Sequence, residues 1–176
     1  HSTHYFLARA TLKALARIHQ KNPLRDVEIF FIGTGNPELP SLKSIANDVG
    51  VGDIVRELPE RISFLEVQQI LRHSSGALVI GSTEPHYSAS KVFQCMITSP
   101  RVFGFFHEAS EASSILEHCN ATDFYVGYHP KHHEDEILSQ LEERIELFLN
   151  PDRPWTAKLE ALERHTAKNN ARKFIA

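Results

Sequence analysis

Apolar residues recur along this chain in two alternating rhythms. Over residues 3–21, Phe6, Leu7, Ala10, Leu12, Ala14, Leu15 and Ile18 fall three or four apart, the spacing of a helix with one buried face, and Asn22-Pro23 stops the run. VEIFFIG (27–33) is instead apolar without interruption and closes on a glycine, as a strand covered on both sides does. The alternation continues with a helix over LKSIANDV, opened by Pro40-Ser41 and closed by Gly50, and a short strand over DIVREL. SFLEVQQILRHS is an amphipathic helix with Phe64, Leu65, Val67, Ile70 and Leu71 inward, and GALVIG (76–81) is a buried strand. A helix within STEPHYSASKVFQCMITSP, strand RVFGFF, helix 109–118, strand DFYVGY and helix 134–149 follow, and a last helix is expected from near Pro154.

Strands without polar alternation, each separated by a helix, imply a parallel sheet covered on both faces. The expected fold class is therefore α/β, a doubly wound Rossmann-like parallel sheet with helices on both faces. Residues 1–150 form the expected domain; 151–176, beyond the hinge LNPDRP, form a terminal helix that packs back on it or reaches toward a partner domain. Trp155, Leu159 and Leu162 give that helix an apolar stripe, part of which is expected to be exposed. Domains of this class ordinarily open on a strand, whereas this chain opens on a helix, so a first strand is expected to be missing from it.

A chain of 176 residues suits one domain, and its 41% apolar and 23% charged residues are ordinary for a globular protein. The formal charge of −3 gives no reason to expect nucleic-acid binding. Two cysteines, Cys95 and Cys119, are too few for a disulfide scaffold, and no apolar run approaches the ~20 residues that span a bilayer. A cytoplasmic setting is expected. Membrane-surface contact through the basic Lys168–Lys173 end is a minor alternative to simple solvation.

Ligands of an open parallel sheet sit beyond the carboxyl ends of its strands, which singles out the loops 33–36, 58–63, 81–91, 106–110 and 128–133. Gly33 and Gly35 in GTGNPE mark a backbone that something approaches closely; a dinucleotide fingerprint needs a third glycine where Glu38 stands. In the loop 81–91, Ser88 or Ser90 would cap a helix whose first-turn charge is Lys91, although helix starts normally collect acids. Hydroxyls, free N–H groups and a cation together make an anion site, and Gln94, three residues on, faces the same side. His86 and His107 lie on adjacent loops within reach of a substrate, and His107-Glu108 is a candidate clamp for sugar hydroxyls. His129, His132 and His133 lack the spacing of a zinc site and read as a polar loop, so no metal is expected.

The residues FIGTGNPELPSLKSIANDVGVGDIV, followed by GALVIGSTEPHYSASKVFQCMITSPRVFGFFHEAS, resemble the carboxyl-terminal domain of GT-B glycosyltransferases, above all the retaining group related to glycosyltransferase family four. The likeness runs over residues 27 to about 118. It implies a domain that binds a nucleotide diphosphate sugar, with the acceptor held by a separate amino-terminal domain absent from this sequence, and no cofactor beyond the donor. By that resemblance the turn at Gly33 and Gly35 lies near the donor, the loop bearing Arg61 meets the nucleobase, and Ser90-Lys91 contacts the diphosphate. The family's paired glutamates, eight apart, fall at His86 and Gln94, with Glu84 as a substitute for the first. The candidate catalytic residues are Lys91 and His86. The candidate donor-binding set is Gly33, Gly35, Arg61, Glu84, Ser88, Ser90, Lys91, Gln94, His107 and Glu108. The alternative is a non-catalytic Rossmann-like module whose GT-B site has decayed.

Overall fold

The computed structural model describes residues 3–86 and 90–165. Ser88 and the run Lys168–Lys173 lie outside them. The elements are α1 (Thr3–Lys21), β1 (Ile29–Ile32), α2 (Leu42–Val49), β2 (Val55–Leu58), α3 (Phe64–His73), β3 (Ala77–Ile80), α4 (Ser90–Thr98), β4 (Val102–His107), α5 (Glu111–His118), β5 (Tyr125–Tyr128), α6 (Glu134–Leu149) and a terminal 3₁₀ helix (Leu159–His165).

Local chemistry sets the helix boundaries. Ser41 accepts from the Ser44 N–H to start α2, and Gly50 ends it at φ +92°, a left-handed conformation in which its N–H reaches Ala46 O. Ser63 and Glu66 form a reciprocal capping box at α3, which also holds the Glu66 carboxyl below the usual range. Ser110 caps α5 by accepting from Ser113 N–H.

All strand pairs are parallel, and the fold is the Rossmann-like α/β architecture the pattern predicts. Among the described residues the sheet comes in two pieces rather than one. β1 pairs with β2, Ile29 opposite Val55; β3, β4 and β5 form the second piece, Ala77 opposite Val102 and Gly104 opposite Tyr125. β4 is central and buried at every position. β1 buries Ile29 and Phe31 but leaves Phe30 59% exposed.

Two cores flank the strands. One joins α1, α2 and α6 with the inner faces of β1, β2, β4 and β5; the other joins α4, α5 and Leu162 of the terminal 3₁₀ helix. The terminal helix expected from near Pro154 starts later among the described residues, as a 3₁₀ helix from Leu159: Pro151 and Pro154 break the chain and Lys158 N–H donates to Cys119 O, while residues 166–176 lie outside the described residues. Of the expected stripe, Leu162 is buried, Trp155 half-buried and Leu159 exposed.

Candidate functional site

The carboxyl ends of β1 and β2 carry the first cluster of candidate residues. Gly33 has φ +71°, which suits glycine, and its N–H donates to Leu58 O at 2.9 Å. Gly35 N–H donates to Pro59 O at 3.0 Å, and a Cβ at Gly35 would stand only 2.9 Å from that same oxygen. The two loops are therefore clasped backbone to backbone, and only glycine permits the approach. Arg61, otherwise exposed, runs its Cγ past Gly33.

Beneath the clasp lies Glu57, a residue the sequence reading passed over. Thr34 Oγ1 donates to one of its oxygens at 2.8 Å and Lys43 N–H, in the first turn of α2, to the other at 2.9 Å. Burial alone would push this carboxyl up, but those donors, with Leu42 N–H and the Ser41 hydroxyl, outweigh it and hold it below the usual carboxylate range. The available signal was an acid in a short apolar strand directly before a predicted ligand loop. Clasp and carboxylate edge a pocket of about 490 Å³, lined among others by Tyr5, Ala8, Thr34, Pro37, Leu42 and Pro59.

The second cluster stands at the carboxyl ends of β3 and β4. His107 N–H donates to Ser82 O at 3.1 Å, joining the loop after β4 to the one that leads toward α4. Glu84 N–H closes onto Ser82 Oγ at 3.1 Å, leaving the Glu84 and His86 side chains exposed. Ser90 and Lys91 open α4, both exposed, and no acid shares that first turn. Gln94 is half-buried, and its Nε2 is buried without a hydrogen-bond partner among the described residues, so it is not an ordinary solvated side chain. Burial pushes the Cys95 thiol up to about 11, with the Lys91 charge pulling weakly the other way, which makes it a poor nucleophile.

His107 is 8% exposed, and its Nδ1 accepts from Ala109 N–H at 3.0 Å, so this imidazole shapes its own loop. Glu108 Oε1 lies 4.0 Å from His129 Nε2. The His129 and His132 rings are 5.6 Å apart, yet no group of three or more His, Cys, Asp or Glu side chains among the described residues is arranged to hold a metal ion.

The candidate residues thus form two clusters on one edge of the fold. Gly33, Gly35 and Arg61 belong to the first; Glu84, His86, Ser90, Lys91, Gln94, His107 and Glu108 belong to the second, and none of these seven lines the glycine-turn pocket. Fold and site together define a Rossmann-like α/β domain with a pocket at the carboxyl edge of its strands. No known protein family, curated protein or solved structure matches the chain. No helix among the described residues is long and apolar enough to cross a membrane.

Proposed function

We propose that this domain binds the donor in a glycosyltransferase that moves a sugar from a nucleotide diphosphate to an acceptor, in a cytoplasmic setting. The observation that carries the reading is the start of α4: an exposed Ser90-Lys91 pair on a helix end that holds no acid, at the carboxyl edge of a parallel sheet. The glycine clasp supports it, because two loops held backbone to backbone leave a rigid rim for a flat nucleoside.

In this reading the diphosphate lies against the first turn of α4. Lys91, the Ser90 hydroxyl and the helix N–H groups stabilise the charge that develops on the departing diphosphate, so the chemistry calls on no metal. Gln94 holds the ribose hydroxyls, Arg61 flanks the base, and Glu84, His86 and Glu108 face the sugar. His86 is the group assigned to act on the reacting centre. A non-catalytic module is the second reading, favoured by His107, whose Nδ1 is committed to the backbone at 3.0 Å.

The test is calorimetric titration of uridine, guanosine and adenosine diphosphates into the wild type, Lys91→Ala and Lys91→Glu. Weak binding of the uridine or guanosine nucleotide is expected. Lys91→Ala should weaken it by roughly 1.5–3 kcal/mol, the size of a charge-assisted hydrogen bond. Lys91→Glu should abolish it while raising the stability of the empty protein by a few tenths of a kcal/mol, since the acid suits the helix start. Equal affinity in all three proteins, or no nucleotide bound by the wild type, would overturn the proposal.

A further inference from the structure

The pocket beside the glycine clasp has one charged side chain among its lining residues, Glu57 of β2. The rest of its wall is apolar or neutral, with Tyr5 of α1, Leu42 of α2 and the rings of Pro37, Pro40 and Pro59. At about 490 Å³ it falls within the ~300–1,000 Å³ of small-molecule sites. The bonds from Gly33 N–H to Leu58 O and from Gly35 N–H to Pro59 O fix its rim, so the pocket is formed before any ligand enters.

Glu57 is half-buried, and a carboxyl held below the usual range is ionised at neutral pH. Every group that donates to it is uncharged: the Thr34 hydroxyl at 2.8 Å, the Lys43 backbone N–H at 2.9 Å, the Leu42 N–H and the Ser41 hydroxyl. Lys43 brings only its backbone, because its ammonium is engaged by Gly52 O and, at 2.8 Å, by Val55 O. None of the ion pairs among the described residues includes Glu57. Glu142, by contrast, takes both Arg17 and Lys21. The amino end of α2 offsets about half a unit of the Glu57 charge, and about half stays uncompensated.

That imbalance selects a ligand. An apolar body entering the pocket strips water from the carboxylate, which is costly unless another charge replaces the water. A neutral ligand supplies none and an anion adds repulsion, whereas a cation restores the balance. The four donors already fill the acceptor sites of the carboxylate. The remaining attraction is coulombic, so it does not depend on a further hydrogen bond. The Tyr5 ring is a second surface that suits a cation.

We propose that this pocket binds a small organic cation, its ammonium group held at Glu57 and its apolar body against Tyr5, Leu42 and the proline rings. The site stands apart from the start of α4, since Ser90, Lys91 and Gln94 do not line it, and it does not rest on what α4 binds.

Titration of benzylammonium, benzyl alcohol and benzoate into the 176-residue chain at pH 7, followed by backbone amide shifts, tests it. Benzylammonium should saturate, bind about tenfold more tightly than benzyl alcohol, and move the amides of Thr34, Leu42 and Lys43, while benzoate should not bind. Glu57→Gln removes the charge and should abolish the preference for the cation over the alcohol. Thr34→Val removes one donor but keeps the charge, and should keep the preference. Thermal melts show whether each variant is folded, and the wild-type series decides by itself where one is not. Equal binding of the three probes, tighter binding of benzoate, or an unchanged preference in folded Glu57→Gln would overturn the proposal. Shifts centred on the acids of α6 would do the same, as the mark of a cation drawn only to surface charge. Uridine diphosphate is the last arm. If it displaces benzylammonium, the pocket belongs to the nucleotide and the proposal fails; benzylammonium retained in its presence supports a separate site, whether or not the nucleotide binds at α4.

Discussion

Glycines at three turns do different work, and the difference is measurable. Gly50 sits at φ +92° with open space around its Cα, so alanine there costs only the left-handed conformation, roughly 1 kcal/mol. Gly33 adds only ordinary contact with Arg61 to a φ of +71°. At Gly35 the conflict is with the backbone: a Cβ 2.9 Å from Pro59 O cannot be relieved by a rotamer change, and the clasp bond from Gly35 N–H would stretch. Gly35→Ala is expected to cost about 1–3 kcal/mol, as overpacking does, and more than Gly50→Ala. Thermal melts rank the three; a ranking with Gly50→Ala worst would show that the loops are not clasped as described. The sequence signalled Gly33 and Gly35 because glycines after a strand mark close approach. It did not signal Glu57, because hydropathy says nothing about which donors will converge on a carboxylate.

Among elements, α3 and α4 show how far hydrophobic period alone carries. The period placed a helix over SFLEVQQILRHS and assigned Phe64 and Leu65 to its inner face, yet both are exposed. Period reports which face a helix would bury, whereas burial needs a neighbour, and α3 packs chiefly on α4 among the described residues. One side-chain bond, Thr98 Oγ1 to Gln68 Oε1 at 2.7 Å, ties the two helices. Near the end of the chain the start of the expected helix shifts for another reason: after the prolines at 151 and 154, the bond from Lys158 N–H to Cys119 O holds the chain out of a helix until Leu159. An element with no buried residues is held by little beyond its own hydrogen bonds, so α3 should be the first to open locally. Its amides are expected to exchange well before those of α1, whose Leu7, Leu12 and Ala14 are fully buried. Slower exchange in α3 than in α1 would mean that its apolar face is covered in solution.

For the molecule as a whole, carboxylates held below the usual range shape how it meets acid: exposed Glu66 caps only its own helix, while Glu57 and Glu142 tie elements together. Glu57 anchors the β1–β2 half at the start of α2, and Glu142 anchors α6 to α1 through Arg17 at 3.0 Å and Lys21 at 2.6 Å. Burial pushes the Glu142 carboxyl up, but the Lys21 and Arg17 donors and their charges hold it below the usual range. Both carboxyls therefore have folded pKa values below the unfolded value of about 4.3. The sign follows from linkage: a depressed pKa contributes stability that is complete above the unfolded value and disappears as pH falls through the folded one. Lys21 and Arg17 are shifted upward, so their contribution is lost only in strong alkali. Stability should be flat from about pH 5.5 through neutrality and should fall steeply below about pH 4.3. Glu57→Gln and Glu142→Gln should each lower Tm at pH 7 by a few degrees, for a loss of about 1 kcal/mol apiece given partly exposed partners. The two share no partner, so their effects should add. In the double variant the acid fall should be shallower, and at pH 3 its Tm should approach the wild type's. Parallel acid limbs in the wild type and the double variant would show that other carboxylates set the acid stability of the fold.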